Sequence, residues 1–316
     1  MESKWSTEQI MDIVESYRQG CVLFAAAELD IFSVLDKNPM TAESLAAQLE
    51  TDHRATVILL DALAAIKLLD KSDNKYSVPA PVAELLTEQG PNSVLAMVRH
   101  HGNCLRRWAR LAGVTSSGAP AERKPSIRGA AADRAAFIGA MDNFSAPAAA
   151  KVVEKLQPLK FNHLLDIGCA SGTWTLAFLQ AVPGAKATLF DLPEVIPMAE
   201  KHIAKAGMTA RVSFAPGDFY TDDLPAGADF AWLGAITHQN SRNQNRMLFA
   251  KIHDALRADG VVVLRDVVMD ESRTEPQGGA LFAVNMLVAT EAGGTYTFQE
   301  YRSDLLGAGF TEVTLL

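Results

Sequence analysis

The segment from Leu164 to Glu194 constrains the fold more than any other part of this 316-residue chain. An apolar run ends at Asp166, a turn of small residues follows from Gly168 to Gly172, and a second apolar run ends at Asp191. A strand, a tight loop that opens a helix, and an acid at the end of the next strand predict a nucleotide-binding βαβ unit. The glycines let the backbone approach a ligand, and the second carboxylate can accept hydrogen bonds from both ribose hydroxyls.

The loop does not have the spacing of a dinucleotide site. Counted from Gly168, the third and sixth positions are Ala170 and Thr173, where a pyrophosphate loop requires glycine. S-adenosylmethionine (SAM) has no phosphate, so its loop needs only to fold beneath a methionine tail. The segment resembles motif I of class I SAM-dependent methyltransferases. The following Phe-Asp-Leu-Pro-Glu-Val-Ile, from Phe190, resembles the plant-type and bacterial small-molecule O-methyltransferases.

The second half of the chain alternates between strand and helix patterns. Strands are predicted at 163–167, 186–190, 211–215, 228–233 and 261–266, with a last strand near Glu312. This alternation predicts an α/β fold with a Rossmann-like, doubly wound parallel sheet. The ligand site of such a sheet lies at the carboxyl ends of its strands. The polar residues expected there are Asp166, Asp191, Asp218, His238 and Asp266.

The first half of the chain is mainly helical. Two helices over 6–36, a helix over 55–69 and a hairpin over 71–78 give the outline of a winged helix. A ligand-sensing transcription regulator could use such a module to bind DNA. Its recognition-helix segment, however, carries only Arg54 and Lys67 as basic residues and is otherwise mainly apolar. In the O-methyltransferases that the chain resembles, this module mediates homodimerisation.

The predicted domain bounds follow from these patterns and from the resemblance. They are a winged-helix-like dimerisation domain over 1–105, a linker loop and helix over 106–150, and a SAM-binding catalytic domain over 151–316. Within the linker, the Gly/Ser/Pro-rich stretch 115–132 predicts a surface loop.

Composition excludes several classes of protein. The net charge of −8 argues against a general binder of nucleic acid or of anionic membranes. No apolar run approaches the ~18 residues of a membrane span. Cys21, Cys104 and Cys169 are odd in number and far apart, which fits neither a disulfide framework nor a zinc site. A cytoplasmic protein without a metal is therefore expected.

The resemblance implies a set of residues that bind SAM and its product S-adenosylhomocysteine (SAH). In the family, the serine that matches Ser145 touches the cofactor carboxylate. The acid that matches Asp218, in the Gly-Asp-Phe run, is near the adenine amino group, and the aromatic residue that matches Phe219 packs on the adenine ring. A family lysine near the adenine aligns with Gly234, which offers only backbone. An acid in the position of Asp218 is also common in simple turns. The predicted cofactor-binding residues are Ser145, Asp166, Gly168, Gly172, Asp191, Leu192, Asp218, Phe219 and Gly234.

His238 is the candidate general base, because histidine titrates near neutrality. Asp266 follows it by 28 positions, the spacing of the first acid that flanks this histidine in the family, and would orient the imidazole. The second flanking acid is expected near Thr295, where none is present, so it is missing or is supplied by Glu291 or elsewhere. The residues Gln239-Asn240 after the histidine also depart from the family pattern.

Phe137, Met141, Asn285 and Met286 are the predicted substrate-pocket residues. The helical spacing of Phe137 and Met141 fits a core stripe equally well, and Met286 fits the core. The predicted function is methyl transfer from SAM to a hydroxyl of a small aromatic molecule by a homodimer. Transfer to carbon or nitrogen, a SAM-binding relative that does not methylate, and the transcription regulator are the alternatives.

Overall fold

The computed structural model describes residues 5–316, which divide into two compact units. Within this range, the N-terminal unit runs to Arg106 and includes Lys124–Asn143. The C-terminal unit consists of Arg107–Arg123 and Phe144–Leu316. None of the helices in residues 5–316 combines the length and the apolar character that crossing a lipid bilayer requires.

Short helices and one small sheet form the N-terminal unit. The helices are α1 (Thr7–Glu15), α2 (Tyr17–Glu28), α3 (Ile31–Lys37), α4 (Ala42–Leu49), α5 (His53–Ala65), α6 (Ala80–Leu86) and α7 (Leu95–Trp108, whose last two residues belong to the C-terminal unit). The strands are β1 (Met40–Thr41), β2 (Asp70–Ser72) and β3 (Lys75–Ser77), paired antiparallel in the order β1-β3-β2. The helices followed by a hairpin confirm the winged-helix outline.

Local side-chain chemistry explains where these elements begin and turn. The Thr41 hydroxyl accepts a hydrogen bond from the Ser44 N–H, and an Asp52 carboxylate oxygen accepts one from the Ala55 N–H, so each caps a helix start. Asp73 and Asn74 join β2 to β3 with φ of 48° and 60°. Two consecutive left-handed residues suit a tight hairpin, and Asp and Asn tolerate that conformation best after glycine.

A continuous apolar core stabilises the N-terminal unit. Its fully buried members come from α2, α3, α4, α5 and the hairpin: Ala26, Ala27, Ile31, Phe32, Leu35, Leu45, Leu60, Leu63, Leu69 and Tyr76. Because α5 contributes Leu60 and Leu63 to this core, its apolar side is used for packing within the unit.

A five-stranded parallel sheet forms the centre of the C-terminal unit, as predicted. Its strands are β4 (His163–Ile167), β5 (Lys186–Asp191), β6 (Val212–Pro216), β7 (Ala228–Gly234) and β8 (Leu256–Arg265). They lie in the order β6-β5-β4-β7-β8, and a separate pair, β9 (Val268–Met269) and β10 (Tyr296–Thr297), is also parallel. The helices are α8 (Leu111–Ser117), α9 (Ala130–Lys155, shared with the N-terminal unit), α10 (Thr173–Ala181), α11 (Ile196–Lys205), α12 (Arg242–Ala255), α13 (Gln277–Ala289) and α14 (Phe298–Gly307).

The strand order creates a crevice at the carboxyl edge of the sheet. The chain builds outward from β4 through β5 to β6 and then returns to β7 on the other side of β4. The helices that follow β4 and β7 therefore lie on opposite faces, which opens the edge between those strands. Asp166 pairs with Trp232 across this boundary, and Gly234 pairs with Arg265 between β7 and β8.

Consecutive residues of the central strands contribute to two cores, one on each side of the sheet. Leu164 joins Phe178, Leu189, Phe230 and Trp232 in one core. The neighbouring residue Leu165 joins a second core whose buried members include Ile167, Phe190, Leu233, Phe249 and Ile252. The alternation of side chains along a strand thus fixes both faces of the sheet.

Several predicted element bounds are wrong. Residues 6–36 form three helices, since Asp30 has φ of 62° and separates α2 from α3. The helix predicted to end at 69 ends at Ala65, because Lys67 adopts φ of 64°, the left-handed conformation that terminates helices. The predicted loop over 115–132 includes the end of α8 and the start of α9. Residues 308–316 contain no strand, so the strand expected near Glu312 is absent.

Candidate active site

The loop after β4 combines left-handed backbone with close packing. Gly168 and Gly172 have φ of 71° and 79°, and Ala170 between them has φ of 48°. A Cβ atom at Gly168 would lie 2.5 Å from Cδ1 of Ile236, so a larger residue would displace that side chain and would also be strained by the positive φ. Together these features fold the loop into a tight turn at the carboxyl end of β4, where Gly168 and Ala170 are half-buried.

Asp191 lies at the end of β5 and binds this loop. One carboxylate oxygen accepts a hydrogen bond from the N–H of Ala170 at 2.8 Å, and the other accepts one from the N–H of Leu192 at 2.7 Å. Burial raises the pKa of Asp191 above its usual value, while these two hydrogen bonds oppose the rise. A partly buried carboxylate at the end of a strand is suited to accept hydrogen bonds from a neutral diol such as ribose.

Asp166 is more deeply buried than its predicted role suggests, with 1% of its surface exposed. Its carboxyl accepts a hydrogen bond from the Thr175 hydroxyl at 2.6 Å, on the first turn of α10. Burial raises the pKa of Asp166 to about 7, and the charge of Asp191 adds to this effect. The side chain therefore supports the start of α10, and its contact with the cofactor stays a prediction.

The loop after β6 lies beside Asp191. The N–H of Gly217 donates to the backbone carbonyl of Asp191 at 2.9 Å. Asp218 accepts a hydrogen bond from the Tyr220 N–H at 2.9 Å through its side chain, as a turn-forming acid does. The Phe219 and Tyr220 rings lie 4.6 Å apart. The structure thus brings Asp218 and Phe219 to the same edge as Asp191, and their roles toward adenine stay predictions.

Ser145 and Gly234 lie near a second group of aromatic residues in the C-terminal unit. The Ser145 hydroxyl accepts a hydrogen bond from the indole N–H of Trp174 at 3.2 Å. The Trp174 ring lies 4.5 Å from that of Trp232. A Cβ atom at Gly234 would lie 2.7 Å from Nε1 of Trp232, so the absence of a side chain there makes room for the indole.

His238 and Asp266 are paired. Nδ1 of His238 lies 2.9 Å from one carboxylate oxygen of Asp266, and the backbone N–H of His238 donates to the other at 3.1 Å. The Asp266 side chain is 3% exposed. Burial acts to raise its pKa, but hydrogen bonds from His238 and Thr237 outweigh burial and hold the pKa below its usual value. The pairing places the Nδ1 proton on the carboxylate side and leaves Nε2 as the lone-pair nitrogen.

The structure adds two hydroxyl groups that the sequence analysis missed. Thr237 donates to Asp266 at 2.6 Å, and its oxygen lies 2.7 Å from the hydroxyl of Tyr301 in α14. Asn240, which departs from the family pattern, is fully buried and binds Asn245, whose amide donates to the carbonyl of Thr237 at 3.0 Å. These contacts fix the short 3-10 turn (Thr237–Gln239) that carries the histidine.

No second acid pairs with His238 among the residues that the structure describes. Asp266 is the one carboxylate within 4.0 Å of its ring in residues 5–316. Glu291 is exposed, and Thr295 is buried, with its backbone carbonyl bound by Arg273 at 3.1 Å. The segment that would have carried the acid instead binds the turn through backbone, since the Gly294 N–H donates to the carbonyl of His238 at 2.8 Å.

The predicted pocket residues lie in both units. In the C-terminal unit, α13 places Phe282 edge-on to the His238 ring at 4.8 Å. Asn285 accepts a hydrogen bond from the Trp108 indole at 2.9 Å, and Met286 is buried. Phe137 and Met141 belong to the N-terminal unit, where the Phe137 ring packs 5.2 Å from the His100 ring and is 45% exposed. No cluster of three or more metal-ligating side chains occurs among residues 5–316.

Two family models match the chain. The model of the O-methyltransferase domain covers residues 96–311, and the model of the O-methyltransferase dimerisation domain covers residues 11–89. The first match alone spans more than half of the chain.

Individual relatives agree with the family models over nearly the whole length. The chain is 32% identical over 312 residues to the tetracenomycin polyketide synthesis 8-O-methyl transferase TcmO of Streptomyces glaucescens, covering 96% of this chain and 91% of the relative. It is 30% identical over 311 residues to the N,N-dimethyltransferase OxyT of Streptomyces rimosus, covering 95% and 90%. The structure of human N-acetylserotonin methyltransferase in complex with SAM superimposes with a TM-score of 0.81 and 26% identity, over 99% of this chain and 94% of the other.

The geometry of the site, the two family models and the full-length relatives agree. The chain therefore belongs to the SAM-dependent O-methyltransferase family that carries an N-terminal dimerisation domain, and it methylates small molecules with SAM as the methyl donor.

Proposed function

We propose that the methyl acceptor is a hydroxyl group of a small aromatic molecule and that His238 removes its proton. The hydrogen bond between Nδ1 of His238 and buried Asp266 is the observation that carries this proposal. A hydroxyl attacks an electrophilic methyl group far better once its proton is leaving, so this reaction needs a base that works near neutral pH. Phe282, edge-on to the imidazole, supplies an apolar aromatic wall beside that base.

The order of proton movements follows from the pairing. Nε2 of His238 accepts the proton of the acceptor hydroxyl while Nδ1–H stays bound to Asp266. The imidazolium that forms is stabilised by a carboxylate whose pKa is held low, so the proton remains on histidine. SAM supplies the methyl group on a positively charged sulfur. Holding the acceptor oxygen in line with that group accounts for much of the rate, up to ~7–11 kcal/mol of the barrier in favourable cases.

The cofactor is assigned to the carboxyl edge of β4, β5 and β6. Asp191 accepts the ribose hydroxyls, the loop from Gly168 to Gly172 lies beneath the methionine moiety, and the loop after β6 receives the adenine. The Asp191 carboxylate supports this proposal, because each of its oxygens accepts one backbone N–H and keeps a lone pair for a hydroxyl donor. The residues assigned to cofactor contact are Ser145, Asp166, Gly168, Gly172, Asp191, Leu192, Asp218, Phe219 and Gly234.

We assign Asn285 and Met286 of the C-terminal unit to the acceptor pocket, and the pocket roles of Phe137 and Met141, which belong to the N-terminal unit, stay predictions. The proposed domains are the dimerisation domain over 1–105, the linker over 106–150 and the catalytic domain over 151–316. Homodimerisation is supported by α1, which leaves Ile10, Ile13 and Val14 exposed along one side, by the exposed Tyr17 at the start of α2, and by the dimerisation-domain match.

We also propose where the enzyme is located and that it has no nucleic-acid partner. A cytoplasmic enzyme without a nucleic-acid partner is supported by the net charge of −8 and by three cysteines that form no disulfide.

Transfer to nitrogen is the second candidate, because OxyT is an N,N-dimethyltransferase at 30% identity. The deciding experiment incubates the enzyme with methyl-labelled SAM and matched pairs of phenols and arylamines, and locates the methyl group by NMR. We expect O-methyl products that disappear in the His238→Gln variant. Methylation of the arylamines alone would assign the enzyme to nitrogen. Tight SAH binding with no labelled product from any phenol or arylamine would contradict both candidate acceptors.

A further inference from the structure

The Arg265 side chain forms no ion pair among the residues that the structure describes. The residue ends β8, and within residues 5–316 its guanidinium donates no hydrogen bond and has no carboxylate oxygen within 4.0 Å. Instead, its guanidinium carbon lies 5.0 Å from the centre of the Trp174 ring and 4.9 Å from that of Phe144. Burial lowers the pKa of Arg265, which the neighbouring charge of Asp266 opposes. A half-buried guanidinium held only by aromatic rings keeps its hydrogen-bond donors available for a ligand.

A second donor without an acceptor lies beside it. Trp232 is 1% exposed, and its indole nitrogen Nε1 is buried with no hydrogen-bond partner in the part of the chain described. This nitrogen is directed toward the end of β7, since a Cβ atom at Gly234 would lie 2.7 Å from it. Gly234 is the register partner of Arg265, so the indole N–H and the guanidinium come from adjacent strand ends. A buried, unpaired N–H is rare in folded proteins and is unfavourable unless a ligand satisfies it.

Ser145 provides a third donor in this group. Its oxygen accepts the hydrogen bond from the Trp174 indole at 3.2 Å, which leaves the hydroxyl proton free to be donated. Trp174 therefore contacts all three donor residues: Ser145 by a hydrogen bond, Arg265 by its ring and Trp232 by ring packing at 4.5 Å. Three hydrogen-bond donors thus surround the Trp174 indole. One of them, Arg265, is charged and donates to no acceptor among the residues that the structure describes.

We propose that Arg265, Trp232 and Ser145 form a subsite for the carboxylate of the methionine moiety of SAM. Arg265 and the Trp232 N–H are the new members of the site. The proposal rests on the assignment of the cofactor site above. A carboxylate is the one anionic group of SAM, and a guanidinium with neutral N–H and O–H donors matches its two oxygens. In this assignment, the three donors make no hydrogen bond to the ribose or the adenine, which bind at the ends of β5 and β6.

Titration calorimetry with two ligands tests the proposal. The first is SAH, and the second is decarboxylated SAH (S-adenosyl-3-thiopropylamine), which lacks only the carboxylate. We expect Arg265→Gln to weaken SAH binding on the order of 10- to 100-fold, the range of a charge-assisted hydrogen bond. The same change should leave the affinity for the decarboxylated ligand within two-fold. Trp232→Phe should show a smaller loss with the same selectivity, and Arg265→Lys should recover part of the SAH affinity.

Matched variants distinguish failure of the carboxylate subsite from failure of the cofactor-site assignment and from loss of the fold. Arg257→Gln makes the same substitution at the exposed start of β8 and should leave both affinities unchanged. Asp191→Ala should weaken both ligands equally, because both contain ribose. Thermal melting identifies any variant that has lost its fold. Equal losses for the two ligands in Arg265→Gln, or no loss for SAH, would overturn the subsite. If the unaltered enzyme bound neither ligand, the assignment of the cofactor site would fail instead.

Discussion

Single residues determine the proposed chemistry through short chains of hydrogen bonds. Asp266 binds His238 on one side and Thr237 on the other, and Thr237 in turn lies within hydrogen-bonding distance of Tyr301. Burial raises the pKa of Tyr301, so its hydroxyl stays protonated and donates toward Thr237. This arrangement compensates in part for the absent second acid, because it fixes the orientation of the one carboxylate that remains.

Replacing Thr237 with valine tests this positioning role. Thr237→Val removes one hydrogen bond to Asp266 while it keeps the shape of the side chain, so we expect kcat to fall about 10-fold, the equivalent of one ordinary hydrogen bond. The dissociation constant of SAH should stay unchanged. Thr237→Ser retains the hydroxyl and should restore the rate. A variant whose rate equals that of the unaltered enzyme would show that Thr237 plays no part in orienting the base.

The strand ends and loops determine how the site is built. The offset from Asp166 to Asp191 follows from one strand–helix–strand repeat, so a sequence pattern could predict that both acids end neighbouring strands. The strands themselves were predictable because strand-forming runs of five to ten residues alternate with helical stretches. The helix boundaries near Asp30 and Lys67 could not be predicted, because left-handed conformations at non-glycine residues depend on tertiary packing.

Asp166, at the end of β4, gives the folded enzyme a specific pH dependence. Its pKa rises from the usual 3.8 to about 7 because it is buried, so the folded state binds a proton that the unfolded state has released. That contribution to stability is complete at low pH and is lost as the pH rises toward 7. Between pH 5 and pH 8, we expect the free energy of unfolding to fall relative to that of Asp166→Asn by about 3 kcal/mol.

Urea denaturation of both proteins at several pH values measures this difference. Asp259→Asn makes the same substitution at an exposed acid on β8 and provides the control. A constant difference between Asp166→Asn and the unaltered enzyme across this range would mean that Asp166 is ionised throughout.

At the scale of the whole molecule, the sequence predicted the two-part architecture but few of the contacts within the site. Motifs are local, and those at 164–194 and 216–220 could be read directly. By contrast, Thr237 and Tyr301 are 64 positions apart, and Arg265 reaches Trp174 across 91 positions, so only the folded chain reveals them. Neither residue type nor spacing marks such contacts in a single sequence.

The exposed apolar side of α1 predicts the oligomeric state. Ile13 is 58% exposed on a helix with a complete capping box, so the surface is formed and available to a second copy. We expect light scattering to give a mass of twice 34.0 kDa for the unaltered enzyme. Ile13→Glu should shift the equilibrium toward the monomer, whereas Asp12→Asn, on the same helix, should not. A dimer that tolerated Ile13→Glu unchanged would exclude α1 from the interface.

The most direct test of the account compares catalysis with binding in the His238→Gln variant. Glutamine keeps a polar side chain but cannot accept a proton, so methyl transfer to a phenolic acceptor should fall about 10²–10⁴-fold. The dissociation constant of SAH should remain within two-fold of that of the unaltered enzyme, since the base does not bind the cofactor. A variant that turned over at the original rate with intact SAH binding would contradict the assignment of His238 as the general base.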